Sequence, residues 1–404
     1  MHTDIVIIGG GASGLAAALW AKRTAPSLKV TLAEALDRYG KKLLATGNGR
    51  CNIMNDLADA GSYIGKESFI APALSLYKQE YAALWEETGV PLMREGEGRV
   101  YPRVNQASAV LDALRFRLEE LDVKGMTGFK AERIERNTKG FRVFSDNALI
   151  EAKHVIVATG GKAGRGLGEN ESFITLLKPL GHSFSRVYPA LTCLKTQKGL
   201  LNGLKGVRLR GEISLWQGDT CLKAETGEIL FQDDGLSGIA AMQLSLTAAP
   251  LVGTKSLHAR LSPLGEDARE STLRRVKRYP LRQAQYLFTG EVNRMIVLNA
   301  LKRAGISPVQ RADSLSGKQI SALASALSDW RIPITTCGSF SEAQVMLGGA
   351  NTDEFDADTL ESRLVKGLYA AGELLDVTGP CGGYNLEWAW ASGMLAGRKA
   401  AESL

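Results

Sequence analysis

Groups for metal or thiol chemistry are scarce in this sequence. Its 404 residues include four histidines (His2, His154, His182, His258) and five cysteines (Cys51, Cys193, Cys221, Cys337, Cys381). The cysteines are odd in number and widely spread, with no C-x-x-C pair and no Cys/His cluster at zinc spacing, so neither a disulfide framework nor a metal site is indicated. The histidines stand apart from one another and from any Ser or Cys motif, which leaves a His-dependent nucleophile without local support. Long apolar runs are missing too. The longest, 240–253, is interrupted by Gln243, Ser245 and Thr247 and is too short and polar to span a bilayer. The strand-like run 4–8 starts almost at Met1, leaving no room for a signal peptide, and the expected location is cytoplasmic. There is no internal repeat or low-complexity linker, and nothing in the sequence indicates an oligomeric state.

Apolar residues at 45% and charged residues at 23% are ordinary for a globular chain, which excludes disorder, collagen and coiled coil. Glycine is in excess, at 44 residues, and its clusters direct attention to ligand-binding turns. The net charge of +6 is unevenly placed. Segment 269–311 holds ten basic residues against Glu270 and Glu291, so the remainder is slightly acidic. The favoured reading is a solvated helical face, because aromatics suited to base stacking are sparse, and this argues against nucleic acid as a partner.

The pattern along the chain predicts an α/β fold. Residues 4–8, the glycine turn 9–14, apolar 15–20 and strand 29–34 form one βαβ unit. Helices are expected at 69–88 and 107–121, strands at 130–136, 141–145 and 154–158, and short β runs at 208–216, 220–222 and 228–231. Segment 264–327 reads as helical, 331–340 and 367–372 as strand, and 385–401 as a final helix. The resulting division is 1–185, a β-rich segment 186–262 inserted as a small antiparallel barrel or sheet, a helical segment 263–330, and a return at 331–404.

Gly9-x-Gly11-x-x-Gly14 has the spacing a dinucleotide pyrophosphate needs: a tight turn, backbone approach to phosphate at Gly11, and close helix packing at Gly14. Glu34, twenty residues after Gly14, suits a ribose hydroxyl and disfavours a 2′-phosphate. These residues indicate a dinucleotide and leave FAD and NAD both open. Residues 40–52 pack glycines, Lys41, Lys42, Arg50, Asn48 and Asn52 into a loop that is poor core material and suits a ligand. Gly379-Pro-Cys-Gly-Gly-Tyr-Asn385 opens the last helix and offers a second positive helix end, with a simple cap by Asn385 as the plainer reading. Cys51 and Cys381 adjoin these loops, where a redox thiol and a small residue in a tight turn are the competing readings.

These stretches, with Gly98-Arg-Val-Tyr-Pro102, Ala158-Thr-Gly-Gly161, Gly227-Glu-Ile-Leu-Phe231, Gly235-Leu-Ser-Gly238 and Gly367-Leu-Tyr-Ala-Ala-Gly-Glu-Leu-Leu-Asp376, resemble the BaiN-type (YhiN-like) FAD-dependent oxidoreductases among the two-dinucleotide-binding-domain flavoproteins. The resemblance implies FAD in a discontinuous Rossmann-like domain, with an inserted β-barrel-like domain and a small helical cap. It implies Gly9, Gly11, Ala12, Ser13 and Gly14 at the pyrophosphate, Glu34 at the ribose and Ala131 at adenine. Thr159 and Gly160 would pass near the adenosine half. Lys42, Thr46, Asn48, Gly49, Arg50 and Asn52 would line the flavin side, Gly372, Glu373 and Asp376 the ribityl and pyrophosphate, and Gly383, Tyr384, Asn385 and Leu386 the pyrimidine edge. It further implies NADH or NADPH as transient co-substrate and a small organic acceptor such as an alicyclic enone. Arg50 and Arg99 are the candidates for holding an anionic or carbonyl-bearing substrate, with a structural ion pair as the plainer reading, and no catalytic acid or base is assigned. No second G-x-G-x-x-G serves a pyridine nucleotide, so an oxidase is a variant. Where the family reads Phe-Thr-His-x-Gly-Leu-Ser-Gly-Pro, this chain has Phe231-Gln-Asp-Asp-Gly-Leu-Ser-Gly-Ile239, without the His and the Pro, which leaves the substrate open. The alternative from another class is a flavin-containing RNA-binding or RNA-modifying protein using 269–311.

Overall fold

Strands and helices alternate along the chain, and in the computed structural model, which describes residues 1–146, 148–164, 171–254, 256–265 and 267–404, they assemble into two compact units. The first comprises Met1–Pro189 and Phe340–Leu404, the second Ala190–Ser339. The inserted β-rich segment 186–262 and the helical segment 263–330, expected as separate domains, fall almost wholly in the one second unit.

The first unit is Rossmann-like. Ile5 to Ile8 form a continuous apolar run, as a strand covered on both faces requires, and the strand His2–Ile8 lies parallel between Val30–Glu34 and Ala148–Val157. Lys124–Thr127 extends the sheet beyond Val30–Glu34 in parallel. The ten-residue strand Ala148–Val157 has two partners on its other side: its first half pairs antiparallel with Gly140–Ser145, and its second half pairs parallel with Leu368–Ala370. The carboxyl ends of His2–Ile8, Val30–Glu34, Ala148–Val157 and Leu368–Ala370 therefore share one edge of the sheet. That edge is where ligands of open α/β sheets sit.

Two helices cover this core closely because both present small residues. A Cβ added at Gly393 would lie 2.2 Å from the Ser13 carbonyl oxygen, and one at Gly397 the same distance from that of Ala17. Helix Tyr384–Glu402 thus packs backbone to backbone on Ala12–Thr24. Gly397→Val is expected to destabilise the chain by about 2–3 kcal/mol through this overpacking, read as a lower urea midpoint. An unchanged midpoint would contradict the helix contact.

The second unit holds seven antiparallel strands in the order Trp330–Pro333, Leu257–Leu261, Arg208–Gln217, Thr220–Phe231, Gly235–Ser237, Leu194–Lys195, Thr336–Cys337. Helices Ile239–Ala248, Ala268–Arg278, Arg294–Arg303 and Gly317–Ser328 belong to the same unit.

Several sequence expectations need correction. The runs 220–222 and 228–231 are one strand, Thr220–Phe231, because a long hairpin with Arg208–Gln217 carries the ladder through polar residues. Ile239–Ala248 is a helix inside the segment read as β, and its alanines give it helical propensity. The strand expected at 130–136 begins later, at Arg133–Asn137, and Lys124–Thr127 was missed. Residues 331–340 divide into Trp330–Pro333 and Thr336–Cys337. Within the loop 40–52, Lys41–Ala45 is a helical turn. Among the described residues, no helix is long and apolar enough to cross a membrane.

Candidate functional site

Every candidate cofactor residue lies in the first unit. At the glycine turn, Gly11 is the N-cap of helix Ala12–Thr24, without a side-chain cap and without an acid in the first turn. The amides of Ala12, Ser13 and Gly14 are consequently open to an anion. A Cβ at Gly11 would meet nothing within 4 Å, whereas one at Gly14 would lie 1.8 Å from the Gly9 carbonyl oxygen. The turn is packed shut beneath and open above.

Glu34 ends the neighbouring strand. Its carboxylate accepts from the Gly10 amide at 2.7 Å and the Leu36 amide at 2.9 Å, which fixes the side chain and leaves lone pairs for hydroxyl donors. Ala131 is buried, and its backbone amide and carbonyl have no hydrogen bond among the described residues.

The Lys42 ammonium donates to Glu373 Oε2 at 2.5 Å and to the Ala163 carbonyl at 2.7 Å. The Glu373 carboxylate also accepts from the Gly161 and Met346 amides, at 3.3 and 2.9 Å. Lys42 and Glu373 therefore join the loops after three parallel strands into one rim. Asp376, half-buried beyond them, has no side-chain partner among the described residues. Both backbone groups of Gly372 are taken by the last helix, its amide by Ser392 Oγ and its carbonyl by Trp388 Nε1. Thr159 and Gly160 follow Ala148–Val157 directly, with Gly160 at φ +74°.

On the loop 40–52, the Thr46 hydroxyl donates to the Leu43 carbonyl at 2.6 Å, and Asn48 and Gly49 are exposed. Arg50 is committed within the protein. It pairs with Glu95, donates to Asn105 Oδ1 and stacks over Tyr101 at 4.0 Å. Asn52 differs from its neighbours: it is buried, and its Oδ1 has no partner. A Cβ at Gly383 would stand 2.9 Å from that oxygen, which places it beside the second glycine-rich helix end.

Gly383, in the left-handed region, is the N-cap of helix Tyr384–Glu402 and has no side-chain cap. The amides of Tyr384, Asn385 and Leu386 are left open at its positive end. Asn385 does not close the helix by capping; it lies inside the first turn, where its side chain bonds the Gly379 amide and carbonyl, both at 2.8 Å, and holds the preceding loop. The Tyr384 carbonyl accepts from Tyr63 at 2.9 Å. Arg99 pairs with Glu97, and its strand Arg99–Pro102 lies between Met54–Asn55 and Leu92–Arg94.

Two features escaped the sequence reading. Glu387 is wholly buried one turn into the last helix, with Oε2 on the Asn55 amide at 2.9 Å and Oε1 without a partner. Burial pushes its carboxyl up to about 7, opposed by the Asn55 hydrogen bond and Lys78. Its proton is held more tightly in the folded chain than in the unfolded one. The contribution to stability is therefore full at low pH and is lost as pH rises through about 7. The available signal was an acid on the same helix face as Ala391 and Met394. The other feature is a line of side chains in which His182 bridges Glu354 and Ser362, each at 3.0 Å. Ser362 Oγ also accepts from the Leu364 and Val365 amides and is buried, so this triad-like spacing is a structural clasp.

Residues 3–399 match the family described as HI0933-like protein Rossmann domain. The chain belongs to this family. It is 38% identical over 407 residues to the 3-dehydro-bile acid delta(4,6)-reductase of Clostridium scindens, covering 98% of this chain and 99% of that protein. It is 27% identical over 400 residues to the ribosomal RNA dihydrouridine synthase of Escherichia coli, covering 96% of each. Among solved structures, a quinol-fumarate reductase with menaquinol superposes at a TM-score of 0.52 and 15% identity, over 100% of this chain and 71% of that one. This last likeness concerns the fold alone.

Proposed function

We propose that this HI0933-like chain is an FAD-dependent reductase that transfers hydride from NADH or NADPH to a carbon–carbon double bond conjugated with a carbonyl. The observation that carries the reading is the unpartnered, buried Asn52 carbonyl oxygen beside the uncapped N-terminus at Gly383. A flavin pyrimidine edge alternates one N–H donor with carbonyl acceptors, and this corner offers one orphan acceptor beside open amides. The residues present fit the group. The amides of Ala12 to Gly14 would hold the pyrophosphate, Glu34 the ribose, the Ala131 backbone adenine, Asp376 a ribityl hydroxyl, and Asn52 with Tyr384 to Leu386 the ring edge. Lys42 and Glu373 would fix the rim, and Arg99 would hold an acidic or carbonyl-bearing substrate.

FAD, when bound, supplies hydride acceptance and delivery at its ring. The chain's part is placement: two helix ends would stabilise negative charge, and the 40–52 loop and the Gly379–Asn385 loop would hold the ring edge. One relative is named a 3-dehydro-bile acid delta(4,6)-reductase and the other a ribosomal RNA dihydrouridine synthase, and reduction of a carbon–carbon double bond conjugated with a carbonyl would account for both names. That shared chemistry supports the reaction class. An alicyclic enone acid is the favoured acceptor because of the closer identity to the bile acid enzyme.

The test is an absorbance spectrum of purified protein, followed anaerobically on adding NADH and then NADPH. Flavin bands that bleach with one nucleotide and return with a 3-oxo-4-ene steroid acid are expected. Bands that persist with both nucleotides would overturn the donor, and no bands after FAD addition would overturn the cofactor.

A second reading, an RNA substrate, draws on the dihydrouridine synthase and on one surface. Arg282 stacks on Tyr279 at 3.8 Å and Arg294 on Tyr286 at 4.9 Å. Against it, Arg274, Arg275 and Arg311 are spent on Glu270, Glu291 and Asp313. RNA retention that falls steeply with salt would favour it, and no retention at low salt would remove it.

A further inference from the structure

A carboxyl group sealed from water is costly unless it is paired or can take up a proton. Glu387 is buried, and no cation pairs with it among the described residues. Its Oε2 rests on the Asn55 amide, and its Oε1 is enclosed without a partner. The elements packed around it bring Asp56 from the loop after Met54–Asn55, Lys78 and Tyr77 from helix Glu67–Glu87, and Tyr63 and Tyr384. Lys78 donates to the Ala58 carbonyl, so the cation that acts on Glu387 among the described residues is anchored elsewhere. A surface cleft of about 430 Å³, lined by Asp59, Leu74 and Lys78 among others, opens on these same elements.

What makes the position informative is what Asn55 touches. Its side-chain amide donates to the Gly382 carbonyl at 2.9 Å and the Glu97 carbonyl at 3.0 Å, and its backbone is in register with Arg99. Glu387 is thus one residue removed from the turn that opens the candidate ring-edge site and from the candidate substrate arginine.

We propose that Glu387 is the proton store of this site, ionised while the bound ring system is oxidised and protonated from solvent when two electrons add negative charge beside the Gly383 helix end. The inference rests on the FAD reading. A two-electron donor, a dihydropyridine in turnover or an electrode in the test, supplies the electrons. One proton leaves solvent and forms an O–H bond on Glu387, and no other bond changes in that step. Negative charge nearby favours the neutral acid, so uptake accompanies reduction.

The experiment uses FAD-loaded protein reduced at an electrode in weak buffer with a pH-indicating dye. Near pH 7.5 the parent should take up more protons per two electrons than Glu387→Gln, by up to one, and the difference should vanish near pH 5, where the acid is already protonated. A reduced-minus-oxidised infrared spectrum of the parent alone should gain a protonated-carboxyl band that shifts in heavy water. Equal uptake by parent and variant, or no such band, overturns the proposal and leaves the FAD reading intact. Protein that holds no FAD overturns the cofactor reading and this one with it.

Discussion

Gly11→Val is expected to purify as folded protein without flavin. The substituted chain has no reason to unfold: Gly11 has extended backbone angles, φ −80° and ψ −171°, that any residue adopts, and its added Cβ meets nothing within 4 Å. The same empty space is where a pyrophosphate must come to reach the amides of Ala12 to Gly14. A branched side chain standing there forfeits charge-assisted hydrogen bonds worth about 3 kcal/mol, roughly a hundredfold in affinity. The control is Gly14→Val, whose Cβ would collide with the Gly9 carbonyl and which should fail to fold. Flavin absorbance per polypeptide, read beside thermal midpoints, separates the two. A Gly11→Val protein carrying full flavin would end the pyrophosphate assignment.

The contrast between these glycines shows which parts of the site sequence can reveal. Spacing alone located the turn, because the strand Asp4 to Ile8, the small residues after it and Glu34 are local signals with periods of their own. The same holds for the parallel strands that end at Val157 and Ala370, which read as short apolar runs closed by glycine. The partners of polar side chains were not legible, since they come from distant sequence. Lys42 meets Glu373 across 331 positions, and Arg50 is taken by Glu95 and Asn105. The candidate flavin loop thus contains a rim lysine, a structural arginine and one orphan amide, where composition showed only a polar cluster. Asn385 and Glu387 make the same point on one helix. Asn385 is a residue type suited to capping, yet it holds a loop; Glu387 is a type suited to a helix surface, yet it is sealed in the core. In the second unit, the strand Thr220–Phe231 is one element that the sequence pattern breaks in two, because its polar middle residues follow no apolar alternation.

Cys51 is the residue where the two readings of the sequence differ most in consequence, and it is expected to behave as an inert thiol. It is fully buried with φ +61°, and burial pushes its thiol up to about 12 against a hydrogen bond with Thr46. The reactive species is the thiolate. Near pH 8 a group at about 12 has on the order of one part in ten thousand ionised, against about a quarter for an ordinary exposed thiol near 8.5. Alkylation of buried Cys51 in native protein should therefore be far slower than at exposed Cys221. Burial slows it further, and the residue should label only on unfolding. Peptide mapping after a short iodoacetamide pulse reads both sites in one sample. Rapid native labelling at Cys51, or loss of flavin reduction by the pyridine nucleotide in Cys51→Ser with FAD retained, would instead make the thiol a redox partner of the ring. If both are absent, the thiol has no part in the proposed hydride transfer, and the loop's contribution would lie in the Asn52 side-chain oxygen and the backbone around it.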